Sequence, residues 1–491
     1  MTLAVSMSLS HFVMGLASFI LFLNWIAEWN WREKWENLKD NKEGLLFAGL
    51  FVACLLGLIK TDNWPMAAHI VLAKVPFLFS PLIVITTKPL TKQELTWTYK
   101  FFVFSTIFCC LYSICYWLTH TVDDIRRISI FIDHIRFSLC IVLSIVFCIH
   151  ILIENNNAHR LTTGFFSGAI ILQIVYLFIA QTLTGILILA VLTVIYIFYL
   201  LLKMPKSKLR IGLIGLMLAA LIGIFAYASI ITLRYFKDND KQKTELRTAM
   251  GNPYEFDEES IIECGHRIGY YVCKPELEAA WSLRSDTAYS DLMEQTLIRY
   301  LNSKGMHKDY AAVMALTADD VRNVEHKIAN YDYTRTFGLR RALYQSFISF
   351  SIYQKNNYIE GSSFLQRIEL WKASLSVIEG NWLLGVGLGD YKDALDQQLE
   401  AQHSSIAYKH NRGSHNQLLT FWLMGGILLV AYFLFILVYP FVWMKDKVTF
   451  LYVCLIVILF LSVLTEDTLE TQTGRMMFTV LVPLMLFSNK E

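Results

Sequence analysis

The chain has 491 residues, of which 55% are hydrophobic and only 17% are charged, and its formal net charge at pH 7 is +2. Soluble domains usually carry about 25% charged residues, so this composition excludes an ordinary soluble protein. A net charge so close to zero, without a basic arm, gives no indication of nucleic-acid binding. Several apolar runs instead reach the ~20 residues that a helix needs to cross a bilayer.

Eleven apolar segments are predicted to cross the membrane as helices. They cover residues 9–29, 44–61, 66–87, 99–119, 137–154, 163–181, 184–202, 209–232, 415–440, 447–465 and 474–488. The predicted fold class is therefore an all-α polytopic membrane protein with about 11–12 transmembrane helices. The first segment lacks the flanks of a secretory signal, so we expect it to remain as a span.

The remaining polar segment is too long to be an ordinary connection. Residues 1–232 form an N-terminal transmembrane bundle of about eight spans, and residues 414–491 form a C-terminal bundle of about three. Between them lie residues 233–413, far beyond the usual length of a loop. Helical apolar spacing that ends at Gly305, and a capping-box pattern at Thr317–Asp320, predict a mostly helical domain here.

Basic residues indicate the orientation of the spans. They concentrate in alternate short connections, at Arg32–Lys42, Lys88–Lys100, Lys203–Arg210 and Lys445–Lys447. Because cytoplasmic connections are enriched in lysine and arginine, these connections are predicted to be cytoplasmic. The 233–413 domain is then extracytoplasmic, and an odd number of spans places the N-terminus outside and the C-terminus inside.

Cys264 and Cys273 are the two cysteines of the polar domain. In an oxidising compartment they could form a disulfide. Their spacing in the sequence does not decide whether the geometry permits it.

Arg367 lies at the start of a predicted amphipathic helix. Ser363 and Gln366 form a capping box, and an apolar stripe that includes Trp371 follows at helical spacing. A helix N-terminus carries positive partial charge, and an arginine adds donors that suit phosphate oxygens. The alternative is an arginine that pairs with Glu369 or is solvated.

Alternating glycines follow this helix at Gly385, Gly387 and Gly389, before Asp390. Glycines allow the backbone to approach a ligand closely, or simply to make a tight turn. No strand–turn–helix unit surrounds them, so they are not a dinucleotide fingerprint. Asp390 begins an acidic run, but acids are expected in a first helical turn, and we predict no metal.

A second capping-box pattern, Ser414–Gln417, opens the ninth predicted span and contains His415 and Asn416. The positive end of a helix disfavours imidazolium, and a neutral imidazole is what a general base needs. The alternative is an interfacial histidine without a chemical role.

Two further cations lie in or beside predicted spans. Lys74 is inside the third span, where an ionisable group is functional by default, although a lysine can extend along its own stem to the interface. Arg136 begins the fifth span on the outer side. It could bind phosphates or anchor the interface.

These segments resemble the O-antigen ligase and O-antigen polymerase family. The resemblance lies in SFLQRIELWKASLSVIEGNWLLGVGLGD, SHNQLLTFWLMGG, TEDTLETQTG, HIRFSL and TLIRYLNSKGMHKDY. It implies a GT-C-like, inverting, metal-independent glycosyltransferase without a cofactor, in the inner membrane of a bacterium. The donor would be a glycan on undecaprenyl pyrophosphate at the periplasmic face.

The resemblance also implies roles for residues. Arg367 matches the arginine that binds the donor pyrophosphate, and His415 matches the proposed acceptor base. The supporting set is Trp371, Gly385, Gly387, Gly389, Asp390 and Asn416. The family often has a second phosphate arginine where this chain has Leu183. The candidates to replace it are Arg136, Lys74, Arg340 and Arg341.

Three acceptors are compatible with such residues. A ligase, which we favour, transfers the glycan to lipid A–core; a polymerase uses another lipid-linked repeat, and a protein O-oligosaccharyltransferase uses serine or threonine. A transporter or flippase of lipid-linked glycans is a less favoured alternative. It would require ionisable groups deep in several spans, or inverted repeats with broken helices.

Overall fold

The computed structural model describes residues 1–122, 125–154, 160–240, 245–335, 339–359, 362–407 and 412–488. Over these ranges the chain is helical apart from four short strands. Among the described residues, eight helical segments are long and apolar enough to cross a membrane, or nine if the bent pair His11–Ala27 and Trp31–Asp40 is counted as one span. One of the eight, Lys42–Lys60, joins an α-helix with the 3₁₀ turns at its two ends. The prediction of a helical polytopic membrane protein is confirmed, with fewer full-length candidate spans than the eleven segments predicted.

The elements follow in chain order. The first part contains α1 (Thr2–Leu9), α2 (His11–Ala27), α3 (Trp31–Asp40), α4 (Leu45–Leu55), α5 (Trp64–Thr86), α6 (Lys92–Thr119), α7 (His134–Glu154), α8 (Arg160–Ile179), α9 (Leu183–Lys203) and α10 (Lys208–Phe236). The middle part contains β1 (Glu255–Phe256), β2 (Ile262–Glu263), β3 (His266–Arg267), β4 (Tyr270–Val272), α11 (Lys274–Arg284), α12 (Asp291–Ser303), α13 (Tyr310–Met314), α14 (Ala318–Glu325), α15 (Asp332–Arg335), α16 (Leu339–Asn356) and α17 (Ser363–Glu379). The last part contains α18 (Tyr391–Ala401), α19 (Gln417–Trp443), α20 (Phe450–Val463), α21 (Gln472–Met476) and α22 (Val482–Phe487).

The chain divides into two compact units. The membrane unit comprises Met1–Leu200, Glu369–His403 and Ala407–Glu491, and the insert unit comprises Leu201–Ile368 and Ser404–Ile406. The division differs from the predicted domain limits at both ends of the insert. Helix α10 groups with the insert, and the glycine loop with α18 groups with the membrane unit.

The first predicted span, residues 9–29, corresponds to one helix, α2 (His11–Ala27), and the short helix α1 precedes it. The two helices meet at Ser10, whose hydroxyl accepts a hydrogen bond from the Val13 amide and caps α2. Met1 lines the same cavity as Lys88, in the connection that is predicted to be cytoplasmic. The external N-terminus stays a prediction.

The last two apolar helices are short. Helix α20 has 14 residues, which corresponds to about 21 Å, less than the ~30 Å of a hydrocarbon core. The 464–471 connection between α20 and α21 is partly enclosed by the protein. Glu466 and Thr468 are each 1% exposed and Leu469 is fully buried, while the other five residues are partly exposed.

Helix α19 is broken at Gly425–Gly426, where the backbone leaves the helical region. The loop after α17 occupies the break. The Val386 amide donates to the Leu423 carbonyl at 2.8 Å, and the Ile427 amide donates to the Trp382 carbonyl at 3.0 Å. The backbone groups that lose their helical hydrogen bonds at the break are thus bonded to other backbone of the protein. Such bonding is required where water is absent.

The alternating glycines allow this loop to approach other backbone. Gly385 and Gly387 have φ of +72° and +118°, which favours glycine. A Cβ on Gly389 would overlap the Asn63 carbonyl oxygen, and one on Gly387 would lie 2.8 Å from the Lys60 carbonyl oxygen. Close packing inside the membrane unit therefore accounts for glycine at these positions.

The insert unit has its own core, formed by helices α11 to α14. Its largest buried side chains are Trp281, Tyr300, Leu297, Leu301 and Val313. The predicted helix end is confirmed at Gly305, which has φ of +68°, and the predicted capping box at Thr317 forms as expected. The two cysteines of the insert are not bonded to each other.

Replacing Gly389 with alanine should destabilise the membrane unit by about 1–3 kcal/mol, because the new methyl group overlaps backbone. Gly168→Ala is the matched control, since a Cβ at Gly168 on α8 meets no atom within 4 Å. The measurement is thermal unfolding of the full chain in mild detergent. Equal melting temperatures for the two variants would contradict the packing role of Gly389.

The Asp320 carboxylate makes a pH-dependent contribution to the stability of the insert unit. Burial alone raises the pKa of this carboxyl, but hydrogen bonds from Lys304, Tyr300 and Thr317 outweigh it and hold the pKa well below its ordinary value. The stabilisation is therefore present above the ordinary pKa of aspartate and is lost as the pH falls through the lowered one.

Asp320→Asn should cost about 1.5–3 kcal/mol at pH 7, since a charged acceptor is lost. The difference from the native chain should shrink below about pH 4. Hydrogen exchange of the α12 and α14 amides in the full chain measures this difference in stability at each pH. Asp319→Asn, on the exposed neighbour, is the control. A pH-independent difference would show that the charge of Asp320 is not responsible.

Candidate functional site

The start of α19 and the 464–471 connection form a polar cluster within the membrane unit. Helix α19 begins at Gln417, where the sequence predicted a span. Its N-cap is Asn416, whose Oδ1 accepts from the amides of Leu418 and Leu419 at 3.0 and 3.2 Å. The predicted cap, Ser414, instead donates its hydroxyl to the Asn416 carbonyl at 2.7 Å. The helix start is as predicted, and the capping residue is two positions later.

His415 is held at two points by neighbouring acids. Its backbone, at φ +52°, donates its amide to Asp467 Oδ2 at 3.0 Å. Its ring Nδ1 lies 3.2 Å from Glu466 Oε2. When Nδ1 donates its hydrogen to this carboxylate, Nε2 is left with a lone pair, which is the form a general base requires. The His415 side chain is 41% exposed, so the ring is accessible.

Glu466 connects the histidine to Arg136. Its side chain is 1% exposed, and Arg136 Nη2 lies 3.5 Å from the same Oε2 that faces His415. Arg136 is also 3.2 Å from Asp133. The buried carboxylate thus lies between a titratable ring and a guanidinium. A negative charge there would stabilise an imidazolium formed by proton transfer, as in other carboxylate–histidine pairs.

Lys74 lies in a second part of the same cluster. Its ammonium is 2.7 Å from Glu470 Oε1, and its side chain is 1% exposed. Gln417 also donates to Glu470 Oε1, at 3.0 Å, and accepts from the Leu469 amide at 2.7 Å. Lys74 does not extend to the interface. It neutralises a carboxylate inside the membrane unit, so its predicted role in phosphate binding would require displacement of Glu470.

Asp390 anchors the glycine loop. Its two carboxylate oxygens accept from the amides of Asp62 and Asn63, each at 3.0 Å. Asn63 caps α5, so the loop is fixed to the start of that helix. The glycine loop is therefore held by packing and hydrogen bonds within the membrane unit, and the supporting role of its residues stays a prediction. Trp371 on α17 is also in the membrane unit, and its buried Nε1 has no acceptor among the described residues.

The other predicted cations belong to the insert unit. Arg340 Nη2 pairs with Asp332 Oδ2 at 3.0 Å, and the guanidinium lies 5.1 Å from the centroid of the Tyr344 ring. Arg341 is partly exposed on α16. Arg367 lies in the first two turns of α17, as predicted, at the end of the insert unit. The structure thus brings His415, Arg136, Lys74 and Asn416 into one cluster, while the roles of Arg367, Arg340 and Arg341 stay predictions.

Sequence reasoning missed the acids of the cluster. Glu466, Asp467 and Glu470 lie in the TEDTLETQTG segment of the resemblance, but no role was predicted for them from the sequence. A signal was present, because buried cations such as Lys74 need counter-ions and these acids lie between two apolar segments. Their pairing with specific cations was not readable, since Lys74 and Glu470 are 396 positions apart.

Comparison with models of known protein families gives no match, and comparison with curated proteins gives none either.

Lys74 and Glu470 permit a test of the buried pair. Glu470→Gln alone should destabilise the chain by about 3–5 kcal/mol, because Lys74 stays buried without its partner. Lys74→Met should cost less, because the remaining carboxylate of Glu470 is 21% exposed. The double variant should be more stable than either single variant. Melting temperatures in detergent measure this.

The matched control is the partly exposed pair Lys92–Glu154, at 3.3 Å. Its disruption should cost no more than about 1 kcal/mol. If Lys74→Met melts like the native chain, Lys74 has no structural role, and phosphate binding becomes the better explanation for it.

Proposed function

We propose that this chain is an inverting glycosyltransferase of the O-antigen ligase type. It would transfer a glycan from undecaprenyl pyrophosphate to lipid A–core at the periplasmic face of a bacterial inner membrane. The observation that carries the proposal is the accessible His415 ring, oriented by the buried Glu466. It supports a general base beside a membrane, which transfer to a hydroxyl acceptor requires.

The proposed reaction is a single displacement. The acceptor oxygen forms a bond to the anomeric carbon, while the bond from that carbon to the pyrophosphate oxygen breaks on the opposite face. The acceptor proton moves to His415 Nε2. The lone pair of the broken bond leaves with undecaprenyl pyrophosphate. Inversion follows from the opposite-face attack, and Glu466 holds the ring while it becomes charged.

The leaving group requires positive charge. Arg367 is assigned to the pyrophosphate by the resemblance, and a guanidinium suits this role because it forms paired hydrogen bonds to phosphate oxygens. Of the residues considered for the second arginine at Leu183, Arg136 is favoured. All of Arg136, Lys74 and Arg340 have acidic partners. Arg136 is distinguished by its position, because its Nη2 lies 3.5 Å from the carboxylate oxygen that faces the His415 ring.

A transporter remains the second candidate because α19 is broken inside the membrane unit. Broken helices are typical of substrate sites in transporters. Here, however, the break is filled by the Trp382–Val386 backbone. Transfer of labelled glycan to an acceptor by the purified chain would support the enzyme. Movement of the donor across a vesicle without transfer would support the transporter.

The acceptor is identified by deleting the gene and examining surface glycans. A ligase predicts lipid A–core without polymer, together with accumulated lipid-linked polymer. Core that carries a single repeat indicates a polymerase instead, and loss of glycoprotein alone indicates a protein O-oligosaccharyltransferase.

His415→Ala should lower the transfer rate by at least about 10²-fold, since a general base contributes 10²–10⁴-fold. Arg367→Ala should have a comparable effect through loss of leaving-group stabilisation. His403→Ala is the control, because His403 is exposed in the loop after α18. All variants are checked for insertion and melting temperature. Near-normal transfer by a folded His415→Ala variant would remove the base from the mechanism.

A further inference from the structure

The membrane unit contains a cavity at the helix ends on the side that is predicted to be cytoplasmic. It has a volume of about 470 Å³, and α1, α2, α22 and the connection between α5 and α6 contribute to its walls. We call it the inner cavity. Its volume is within the range of about 300–1,000 Å³ that holds a small-molecule ligand.

The inner cavity is polar at one end and apolar along its depth. Thr87, Lys88 and Ser488 line it at the ends of α5 and α22. Ala17 and Leu21 line it further along α2. Asn24 also lines the cavity, and the seven-residue step from Ala17 to Asn24 corresponds to about 10 Å of helix. The cavity thus extends from the level of the helix ends into the apolar layer, as the upper part of a lipid chain does.

The polar end is positively charged. Lys88 is the lining cation, and no aspartate or glutamate is among the lining residues of the described chain. A second ammonium, that of Lys447, lies 4.6 Å from the ring of Phe487, which also lines the cavity. Glu94 interacts electrostatically with Lys88, but its carboxylate is bound to Thr91.

We propose that the inner cavity binds one acidic phospholipid of the inner leaflet. The phosphate lies near Lys88, with Lys447 contributing to the positive field, and one acyl chain enters along α2. A positive rim above an apolar wall matches an anionic head on a hydrocarbon tail and gives no comparable advantage to a zwitterionic head. This inference does not depend on the proposed transfer reaction, because the cavity shares no residue with the His415 cluster.

The test is native mass spectrometry of the full chain in mild detergent. The probes are phosphatidylglycerol and phosphatidylcholine with identical acyl chains. We expect tighter binding of phosphatidylglycerol. Lys88→Gln should weaken that binding about fivefold and leave phosphatidylcholine unchanged, since a lysine near an anionic surface contributes about this much. Lys92→Gln, which removes a lysine on the same side outside the cavity, should have no effect.

Variants that fill the inner cavity test whether it holds an acyl chain. Ala17→Phe should reduce binding of phosphatidylglycerol, and Leu21→Trp is a second filling variant should the first fail to fold. Soluble glycerol phosphate should not compete. Equal binding of the two lipids, equal effects of Lys88→Gln and Lys92→Gln, normal binding by folded filling variants, or competition by glycerol phosphate would each overturn the proposal.

Discussion

The structure depends on how the membrane unit accommodates the charged connection between α20 and α21. Glu466, Thr468 and Leu469 in this connection are buried, and the other residues of 464–471 are partly exposed. Charges inside an apolar unit are costly unless they are paired. Two acids of the connection form ion pairs, Glu470 with Lys74 and Glu466 with Arg136.

The same packing leaves one side chain of the cluster, that of His415, accessible for chemistry. Most of the cluster is engaged and buried, and its members mainly hold one another in place. His415 differs, since its side chain is 41% exposed while Glu466, which orients it, is 1% exposed. A fixed carboxylate behind an accessible ring is the arrangement expected for proton transfer. The packing and hydrogen bonds that hold the cluster together therefore also position His415, the proposed base.

The sequence predicted local features well and long-range pairing poorly. The start of α19, the Thr317 capping box and the end of α12 at Gly305 depend on neighbouring residues, and all three are found. Helix α1 was not predicted, because its eight residues are too few to indicate a span. The partners of His415 and Lys74 were missed because they lie 51 and 396 positions away.

The glycine loop shows a further limit of the sequence. Alternating glycines indicate close approach of backbone, but not what approaches. At Gly385 and Gly389 the neighbour is the backbone of α19 and of the residue that caps α5, where a Cβ would overlap a carbonyl oxygen. The prediction that the alternating glycines allow close approach to the backbone is confirmed. A ligand and a tight turn were the two predicted reasons, and the structure shows close packing against protein backbone.

The most direct test of the account is the rate of transfer in single turnovers, measured with the native chain, Glu466→Gln and His415→Ala. The account predicts that both folded variants transfer more slowly than the native chain and that His415→Ala is the slower of the two. Glu466→Gln removes the charge that holds and stabilises the ring, whereas His415→Ala removes the ring that accepts the proton. Near-normal transfer by both folded variants would contradict the account.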